Sequence, residues 1–273
     1  DPSVVIFDQE SGLPVVYSAS FGGDFATMDR AADDTLWITD ENDRIVHFIP
    51  YHPTGDYFND YPIPRLMFTP DASPYGIAVA PDGMVWFTRW PDPSLGRFDP
   101  VTEDWDRYIL PEIDFDGDGD GDYPGTPALI TFDNDGDVWF TINNLFTEED
   151  SGGEFSTGYA GFGHFDTGTE TFTLYNDPSL FTATLRAPWG IEFISYDPDI
   201  LWFTDKTANY FIRVDLSVAP PDIEEYVTPY LPEPEIMDTH YFSIDPDGIF
   251  WLAPFFTSNI GTFNPITHDF NSR

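Results

Sequence analysis

The stretch PYGIAVAPDGMVWFT at residues 74–88 sets the fold class of this chain. It holds two short apolar runs on either side of the turn sequence Pro81-Asp82-Gly83, and neither run has a helical period. Two such runs around a short Asp-Gly turn are typical of a β-hairpin. The tryptophan of the second run, Trp86, marks the position by which the rest of the chain can be aligned.

Runs centred on a tryptophan recur along the whole sequence. They contain Trp37, Trp86, Trp139, Trp202 and Trp251, at intervals of 49, 53, 63 and 49 residues. Each is followed by a third apolar run and then by a fourth near an aromatic residue, so one repeat holds four short strands. Repeats of this length with four strands are typical of propeller blades. The sequence therefore predicts an all-β fold, a β-propeller of four-stranded blades, as a single domain over residues 1–273.

The N-terminal segment 1–17 corresponds to half a blade. Its runs at 3–8 and 15–17 match a third and a fourth strand without a first and a second. The prediction is five complete blades plus an outer half-blade, six-bladed if other strands complete it. The pair could decorate a five-bladed ring, take inner strands from missing residues or a neighbouring copy, or belong to a larger ring. Because open edges recruit strands, other copies of the chain are predicted partners through strands 3–17.

Charge limits the partners and the location of the protein. There are 49 Asp and Glu residues against 10 Lys and Arg, a formal net charge of −39. This field repels nucleic acid and anionic membrane surfaces, and no apolar run is long enough to predict a membrane-spanning helix. No cysteine is present, which excludes disulfides and thiolate chemistry. Because the sequence starts at Asp1 rather than Met, we expect that a leader has been removed. Together with the charge, this leads us to expect an extracellular or cell-surface protein from saline or calcium-rich surroundings.

Acidic segments between the strands suggest a metal. Residues 112–125 form a loop in which aspartates alternate with glycines, an arrangement that can wrap oxygen ligands around Ca²⁺. The predicted calcium ligands are Asp114, Asp116, Asp118, Asp120 and Asp122. A solvated linker is the alternative. The similar stretch 133–137 lies between the first two strands of its blade and is predicted to be a hairpin turn. The acidic insertion at 143–158 lengthens the third blade, either as a binding or contact loop or as an insertion that the fold tolerates.

The phrases at 74–88 and at 95–100 (LGRFDP) resemble the repeat of the virginiamycin B lyase (streptogramin lyase) family, as do PWGI at 188–191 and LWFTD at 201–205. The resemblance implies a propeller, seven-bladed in the lyases, with a ligand site at one mouth of its channel. It also implies a magnesium-assisted elimination that opens a cyclic depsipeptide. On this resemblance His240 is the base, and Asp238 orients it or holds Mg²⁺. The preceding blade has Trp189 where the lyases have a second histidine.

Residues next to the inner strands are expected to form a rim around the channel mouth. This rim is predicted to comprise Tyr75, Trp189, Arg89, Asp40 and Asp205. The position of Tyr75 in its innermost strand is called the slot, and Phe25 and Ala128 are predicted to occupy the slot in their own blades. Aromatic rings, carboxylates and an arginine suit a small polar or cyclic peptide ligand. The alternative is that the two aspartates cap turns and the arginine neutralises them. The other histidines, His47, His52, His164 and His268, are predicted to be surface residues.

Three functions fit these features. The favoured one is a secreted, calcium-binding propeller that acts as a non-catalytic binding or assembly module, in its bolder form within a filament or surface layer. The alternative is a carbon–oxygen elimination like that of the streptogramin lyases, with His240 as base. A lactonase-like hydrolase comes third, because it rests on fold analogy. Ca²⁺ is the expected cofactor, with Mg²⁺ only for a lyase, and the balance leans away from an enzyme.

Overall fold

The computed structural model describes residues 2–7, 13–68, 72–112, 125–143, 160–181, 187–194, 197–205, 210–227, 239–245, 247–254 and 260–272. Apart from one turn of 3-10 helix at Pro178–Leu180, their regular structure is β-strand. Among these residues, no helix has the length and apolar character needed to cross a membrane.

The strands form antiparallel sheets in chain order. An N-terminal hairpin comprises β1 (Ser3–Phe7) and β2 (Pro14–Ser18). Blade 1 comprises β3 (Phe25–Arg30), β4 (Leu36–Asp40), β5 (Arg44–Phe48) and β6 (Phe58–Pro62). Blade 2 comprises β7 (Ser73–Val79), β8 (Val85–Trp90), β9 (Ser94–Phe98) and β10 (Trp105–Ile109). Blade 3 comprises β11 (Thr126–Phe132), β12 (Val138–Asn143), β13 (Gly161–Asp166) and β14 (Thr171–Tyr175).

The last two sheets have the same order. Blade 4 comprises β15 (Pro188–Ile194), β16 (Asp197–Asp205), β17 (Tyr210–Asp215) and β18 (Asp222–Val227). Blade 5 comprises β19 (Thr239–Ile244), β20 (Phe250–Pro254), β21 (Gly261–Asn264) and β22 (Asp269–Ser272). The described residues therefore contain five four-stranded sheets and one two-stranded sheet. The predicted all-β propeller, with five complete blades and an N-terminal half-blade, is confirmed.

Glycine-containing turns join the first two strands of most blades. Gly83, Gly136 and Gly248 have φ angles of 89°, 85° and 77°. This left-handed region is open to glycine at no steric cost, so the Asp-Gly pairs read from the sequence are the residues that these tight turns require. In blade 1 a non-glycine residue, Asp34, takes the position with a φ of 68°.

Apolar side chains fill the spaces between successive sheets. The chain divides into two compact units, Asp1–Tyr108 and Ile109–Arg273. In the first unit, buried clusters join the N-terminal hairpin to blade 1 and blade 1 to blade 2. In the second unit, similar clusters join blade 3 to blade 4 and blade 4 to blade 5. The repeated tryptophan faces the next blade of its unit: Trp37 lies 5.9 Å from Phe98, and Trp202 lies 5.1 Å from Phe250, between ring centroids.

Glycines on the third strand make room for phenylalanines of the second. Gly163 is paired with Phe140, and a Cβ added at Gly163 would lie inside the contact distance of the buried Phe140 ring. Gly96 stands in the same relation to Phe87. We expect Gly163→Ala to lower the free energy of unfolding by about 1–3 kcal/mol, because a buried ring must move.

The measurement is chemical denaturation followed by circular dichroism, with Gly168→Ala as the matched control. A Cβ at Gly168 meets its nearest neighbour, an Asp166 oxygen, at 3.4 Å, an ordinary contact. Equal losses in the two variants would show that the Gly163 site is not tightly packed.

Candidate functional site

The innermost strand of every blade contains a β-bulge, and these bulges lie at equivalent positions in the pairing with the second strand. The pairing register shifts between Phe25 and Met28, Pro74 and Ile77, Pro127 and Ile130, Pro188 and Ile191, and Thr239 and Tyr241. Such β-bulges re-aim side chains and are common beside active sites. The slot predicted from the sequence lies in these bulges, at Tyr75, Ala128, Trp189 and the backbone of His240. In blade 1 the register gives the slot to Ala26, so the assignment of Phe25 was wrong by one residue.

A threonine on the second strand holds the bulge in place in blades 1 to 4, whereas the sequence of blade 5 has Ala253 at this position. Thr88 Oγ1 accepts a hydrogen bond from the Gly76 amide at 2.8 Å, and Thr204 Oγ1 accepts one from the Gly190 amide at 3.0 Å. The same threonine position also reaches the next blade within a unit. Thr39 Oγ1 donates to the Tyr75 carbonyl at 2.5 Å.

Thr141 Oγ1 likewise donates to the Trp189 carbonyl at 2.8 Å, from blade 3 to blade 4. The threonines of the Trp-x-Thr runs were visible in the sequence, but reading them as strand residues missed this link. A threonine hydroxyl both donates and accepts, so one side chain can satisfy a bulge amide and a neighbouring carbonyl.

Asp40 and Asp205, at the ends of β4 and β16, are fully buried. Asp40 Oδ1 accepts hydrogen bonds from the Asp24 amide at 3.1 Å and the Asn42 amide at 2.9 Å. Asp205 Oδ2 accepts one from the Ala187 amide at 3.1 Å. These bonds fix the loops around the strand ends, which favours the turn-capping alternative. Their contact with a ligand stays a prediction.

Arg89, at the equivalent position on β8, is 2% exposed. Its Nη2 lies 2.9 Å from Asp43 Oδ1 and also donates to the Ala72 carbonyl. The carboxylate that Arg89 neutralises is therefore Asp43. Within the part of the chain that the structure describes, two further nitrogens of Arg89, Nε and Nη1, are buried without a hydrogen-bond partner, so this side chain retains donor capacity.

The remaining predicted site residues are placed as follows. Tyr75 is partly exposed in the first unit, together with buried Asp40 and Arg89. Trp189 is 5% exposed and shares the second unit with Asp205. The structure gives the backbone of His240, in β19. Three predicted features lie outside the described residues: Asp238, most of the insertion at 143–158, and the predicted calcium ligands Asp114, Asp116, Asp118, Asp120 and Asp122.

Two histidines predicted to be surface residues are instead packed on the repeated tryptophans. His47 stacks on Trp37, with ring centroids 4.3 Å apart and planes 4° from parallel. His164 lies 4.5 Å from Trp139. Both are directly opposite their tryptophan in the register between second and third strands. The prediction was wrong because cross-strand pairing puts these rings against an indole.

The packing of His47 predicts a pH dependence. Burial lowers the pKa of His47 below its ordinary range, and the Asp33 carboxylate opposes this in part. Below about pH 6.5 the unfolded chain therefore binds a proton at this position that the folded chain does not. We expect stability to fall as the pH drops through this window, by at most about tenfold in the folding equilibrium constant per pH unit.

The measurement is denaturant unfolding between about pH 7.5 and pH 5.5, for the wild type and for His47→Gln. Glutamine keeps a polar group near Thr35 Oγ1, which lies 2.8 Å from His47 Nε2. The difference between the two pH profiles isolates His47 from the other histidines. Parallel profiles would mean that His47 titrates alike in both states.

A group of metal-ligating side chains occurs among the described residues away from the predicted rim. Asp133, Asp137 and His164 each offer one ligand atom, and these atoms lie within 4.8 Å of one another. Asp133 and Asp137 belong to the turn between β11 and β12, as the sequence predicted for 133–137. Its proximity to His164 was not predicted, although the pairing of Trp139 with His164 brings the two together.

No protein-family model and no curated protein matches the sequence. Solved structures do match. A virginiamycin B lyase from Staphylococcus aureus has a TM-score of 0.72 at 20% identity, over 99% of this chain and 76% of the lyase chain. A catalytically inactive form of that lyase, with a histidine replaced by alanine, has been solved with quinupristin.

Other propellers are more distant. A gluconolactonase from Xanthomonas campestris has a TM-score of 0.61 at 15% identity, over 92% of this chain and 77% of that protein. Regucalcin, a calcium-binding protein from Agrobacterium tumefaciens, has a TM-score of 0.61 at 13% identity, over 91% of this chain and 73% of its own. At these identities the likeness establishes architecture. The resemblance read from the repeats is confirmed as one of fold, and the chain is a β-propeller like that of virginiamycin B lyase.

Proposed function

We propose that this chain is a non-catalytic binding and assembly module that joins other copies of itself through exposed blade faces. The observation that carries the proposal is the exposure of the repeated tryptophan. Trp37, Trp86, Trp139 and Trp202 are between 1% and 6% exposed, whereas Trp251 of blade 5 is 37% exposed. Trp37, Trp139 and Trp202 each contact the next blade of their unit, whereas no described blade follows blade 5. Blade 5 therefore presents at Trp251 an apolar surface of the kind that the next blade covers in blades 1, 3 and 4.

The N-terminal hairpin presents a second such face. Val4 and Tyr17 on its inner side pack against blade 1. On its other side Val5 and Val16 are paired in register and are 48% and 60% exposed. Within the described residues, β1 pairs with β2 and with no further strand. An apolar face beside an open edge is a typical site of strand addition or sheet stacking.

The two faces differ, so association through them is heterologous. One copy would offer its hairpin and the next copy its blade 5, an arrangement that continues as a filament or closes as a ring. The net charge of −39 opposes such contacts unless cations screen or bridge the carboxylates. Assembly is therefore expected in millimolar Ca²⁺ or high salt, the conditions of the extracellular, calcium-rich or saline location that the composition favours.

Sedimentation in millimolar Ca²⁺ tests the proposal with two complementary variants. Val5→Ser with Val16→Ser alters the hairpin face, and Trp251→Ser alters the blade 5 face. We expect the wild type to form large species, each variant to remain monomeric, and a mixture of the two variants to form dimers through the faces that remain intact. Leu66→Ser is the control, since Leu66 is fully exposed but lies outside both faces. A wild type that stays monomeric at high concentration, with and without Ca²⁺, would overturn the proposal.

A second candidate is a lyase in which His240 is the base. Two observations favour it: His240 lies in the bulged innermost strand of blade 5, and the fold is that of a lyase whose histidine variant is inactive. The base would remove a proton from the depsipeptide as the ester C–O bond breaks, and Mg²⁺ held near Asp238 would stabilise the departing carboxylate. No described side chain favours the lactonase alternative over this one.

Incubation with quinupristin and Mg²⁺, followed by mass spectrometry, separates the chemistries. Elimination opens the ring without a change of mass, whereas lactone hydrolysis adds one water. On this candidate, His240→Ala abolishes ring opening and His268→Ala, at an exposed turn, does not. An intact ring after long incubation with the wild type would exclude streptogramin elimination and hydrolysis together.

A further inference from the structure

The turn between β11 and β12 of blade 3 contains more polar side chains than are needed to form its hydrogen bonds. Asp133 Oδ1 accepts hydrogen bonds from the amides of Asp135 at 3.0 Å and Asp137 at 2.9 Å, and its Oδ2 accepts one from Trp139 Nε1 at 2.8 Å. This set of bonds closes the hairpin and fixes the indole of the second strand.

Blade 5 builds the same turn and serves as an internal comparison. Asp245 Oδ1 accepts from the amides of Asp247 at 3.0 Å and Ile249 at 2.9 Å, and its Oδ2 accepts from Trp251 Nε1 at 2.8 Å. Ile249 thus occupies the position of Asp137. Thr262, opposite Trp251, occupies the position of His164. The turn forms with an isoleucine and a threonine, so it does not require the second carboxylate or the imidazole.

Asp137 and His164 are held close to Asp133. Asp137 Oδ2 lies 3.3 Å from His164 Nε2, and both side chains are about one-fifth exposed. Asp137 Oδ1 accepts bonds from the amide and the hydroxyl of Thr167, at 2.8 and 3.0 Å. These bonds orient the carboxylate. Among the described residues, each Oδ2 of the two aspartates makes one hydrogen bond, and because a carboxylate oxygen can accept two, each keeps a lone pair for a further ligand.

A small cleft adjoins this group. It has a volume of about 70 Å³ and is lined by Phe132, Asp133, Asn134, Phe193, Ile194 and Pro198. Asp133 lies in the wall of this cleft, which is large enough to hold water. A cation bound by three protein ligands needs water or another small ligand to complete its coordination.

We propose that Asp133, Asp137 and His164 bind a first-row divalent transition-metal cation, with Zn²⁺ as the representative. Metal–ligand distances of about 2.0–2.2 Å place the donor atoms of a tetrahedral site roughly 3.4 Å apart. Because the ligand atoms already lie within 4.8 Å of one another, small side-chain rotations suffice. An imidazole nitrogen with two carboxylates favours Zn²⁺, Mn²⁺ or Co²⁺ over Ca²⁺, which takes six to eight oxygen ligands.

Binding at this site ties the β11–β12 turn to strand β13 and neutralises charge where two aspartates face each other. The site differs from the predicted Asp/Gly calcium loop in its nitrogen ligand and its position. It is also independent of the proposed assembly faces, which involve the N-terminal hairpin and blade 5. Success or failure of either proposal therefore leaves the other standing.

Calorimetric titration with Zn²⁺, in millimolar Ca²⁺ that saturates all-oxygen sites, tests the proposal. We expect one Zn²⁺ site in the wild type and a loss of affinity of about tenfold or more in Asp137→Ile and in His164→Thr, which install the side chains of blade 5. His47→Thr is the matched control, because it removes a histidine stacked on a tryptophan but no proposed ligand. Its Zn²⁺ affinity is expected to equal that of the wild type.

A second readout on the wild type does not depend on the variants folding. In spectra of the histidine side chains, sub-stoichiometric Zn²⁺ is expected to shift the ring nitrogens of His164 before those of the other histidines. Equal Zn²⁺ affinity in the wild type, Asp137→Ile and His164→Thr would overturn the proposal. So would Zn²⁺ binding that saturating Ca²⁺ abolishes, or a His164 resonance that Zn²⁺ leaves unmoved.

Discussion

Replacement of Trp202 by alanine is expected to lower the free energy of unfolding by about 3–5 kcal/mol. Trp202 is 1% exposed, and its ring centroid lies 5.1 Å from that of Phe250 and 5.5 Å from that of Phe263. Truncation removes these contacts and leaves a cavity between blades 4 and 5, which hydrogen-bonded sheets cannot easily close. The measurement is denaturant unfolding in dilute solution, with circular dichroism as the signal.

Trp251→Ala is the matched control for this substitution. Trp251 occupies the same position in blade 5 but is 37% exposed, and its indole donates to Asp245 at 2.8 Å. Less apolar surface is lost and no enclosed cavity forms, so the cost is expected to be at most about half that of Trp202→Ala. Equal costs for the two variants would mean that contact with the following blade is not what the tryptophans contribute.

The fold could be predicted from the sequence because its signals are local and repeated. The turn glycines, the alternating strands and the tryptophans each act within a few residues, and five copies align them against one another. The bulges are harder to read, since a bulge adds residues without leaving a mark in a hydrophobic pattern. This is why Phe25 was assigned to the slot that Ala26 occupies.

The candidate site was less predictable because it depends on which side chains meet across strands. His47 and His164 look like surface residues on outer strands, yet the register sets each against an indole. The alternative to a ligand rim had Arg89 neutralise Asp40 and Asp205, but Arg89 pairs with Asp43, which follows β4 in the neighbouring blade. Charge and spacing in a sequence indicate that an arginine needs an acid; they do not indicate which loop supplies it.

A strong dependence of stability on salt is the other large effect that we expect. The formal net charge is −39, and the described acidic side chains greatly outnumber the arginines that pair with them. Raising the NaCl concentration from about 0.05 to 2 M shortens the range of repulsion from more than 10 Å to less than 3 Å. We expect the Tm to rise by on the order of 10 °C, which corresponds to several kcal/mol at about 2–4 °C per kcal/mol.

A variant separates charge repulsion from the general effect of salt on apolar burial. Glu41→Gln, Asp104→Asn and Glu112→Gln together remove three exposed negative charges with almost no change of shape. If repulsion dominates, this variant has a higher Tm than the wild type at low salt, and the two values converge at high salt, where the charges are screened. If salt acts by strengthening apolar burial, the two melting curves rise in parallel, because the substitutions leave the buried clusters unchanged. Differential scanning calorimetry of both proteins across the salt series distinguishes the outcomes, and a wild-type Tm that does not depend on salt would contradict the prediction outright.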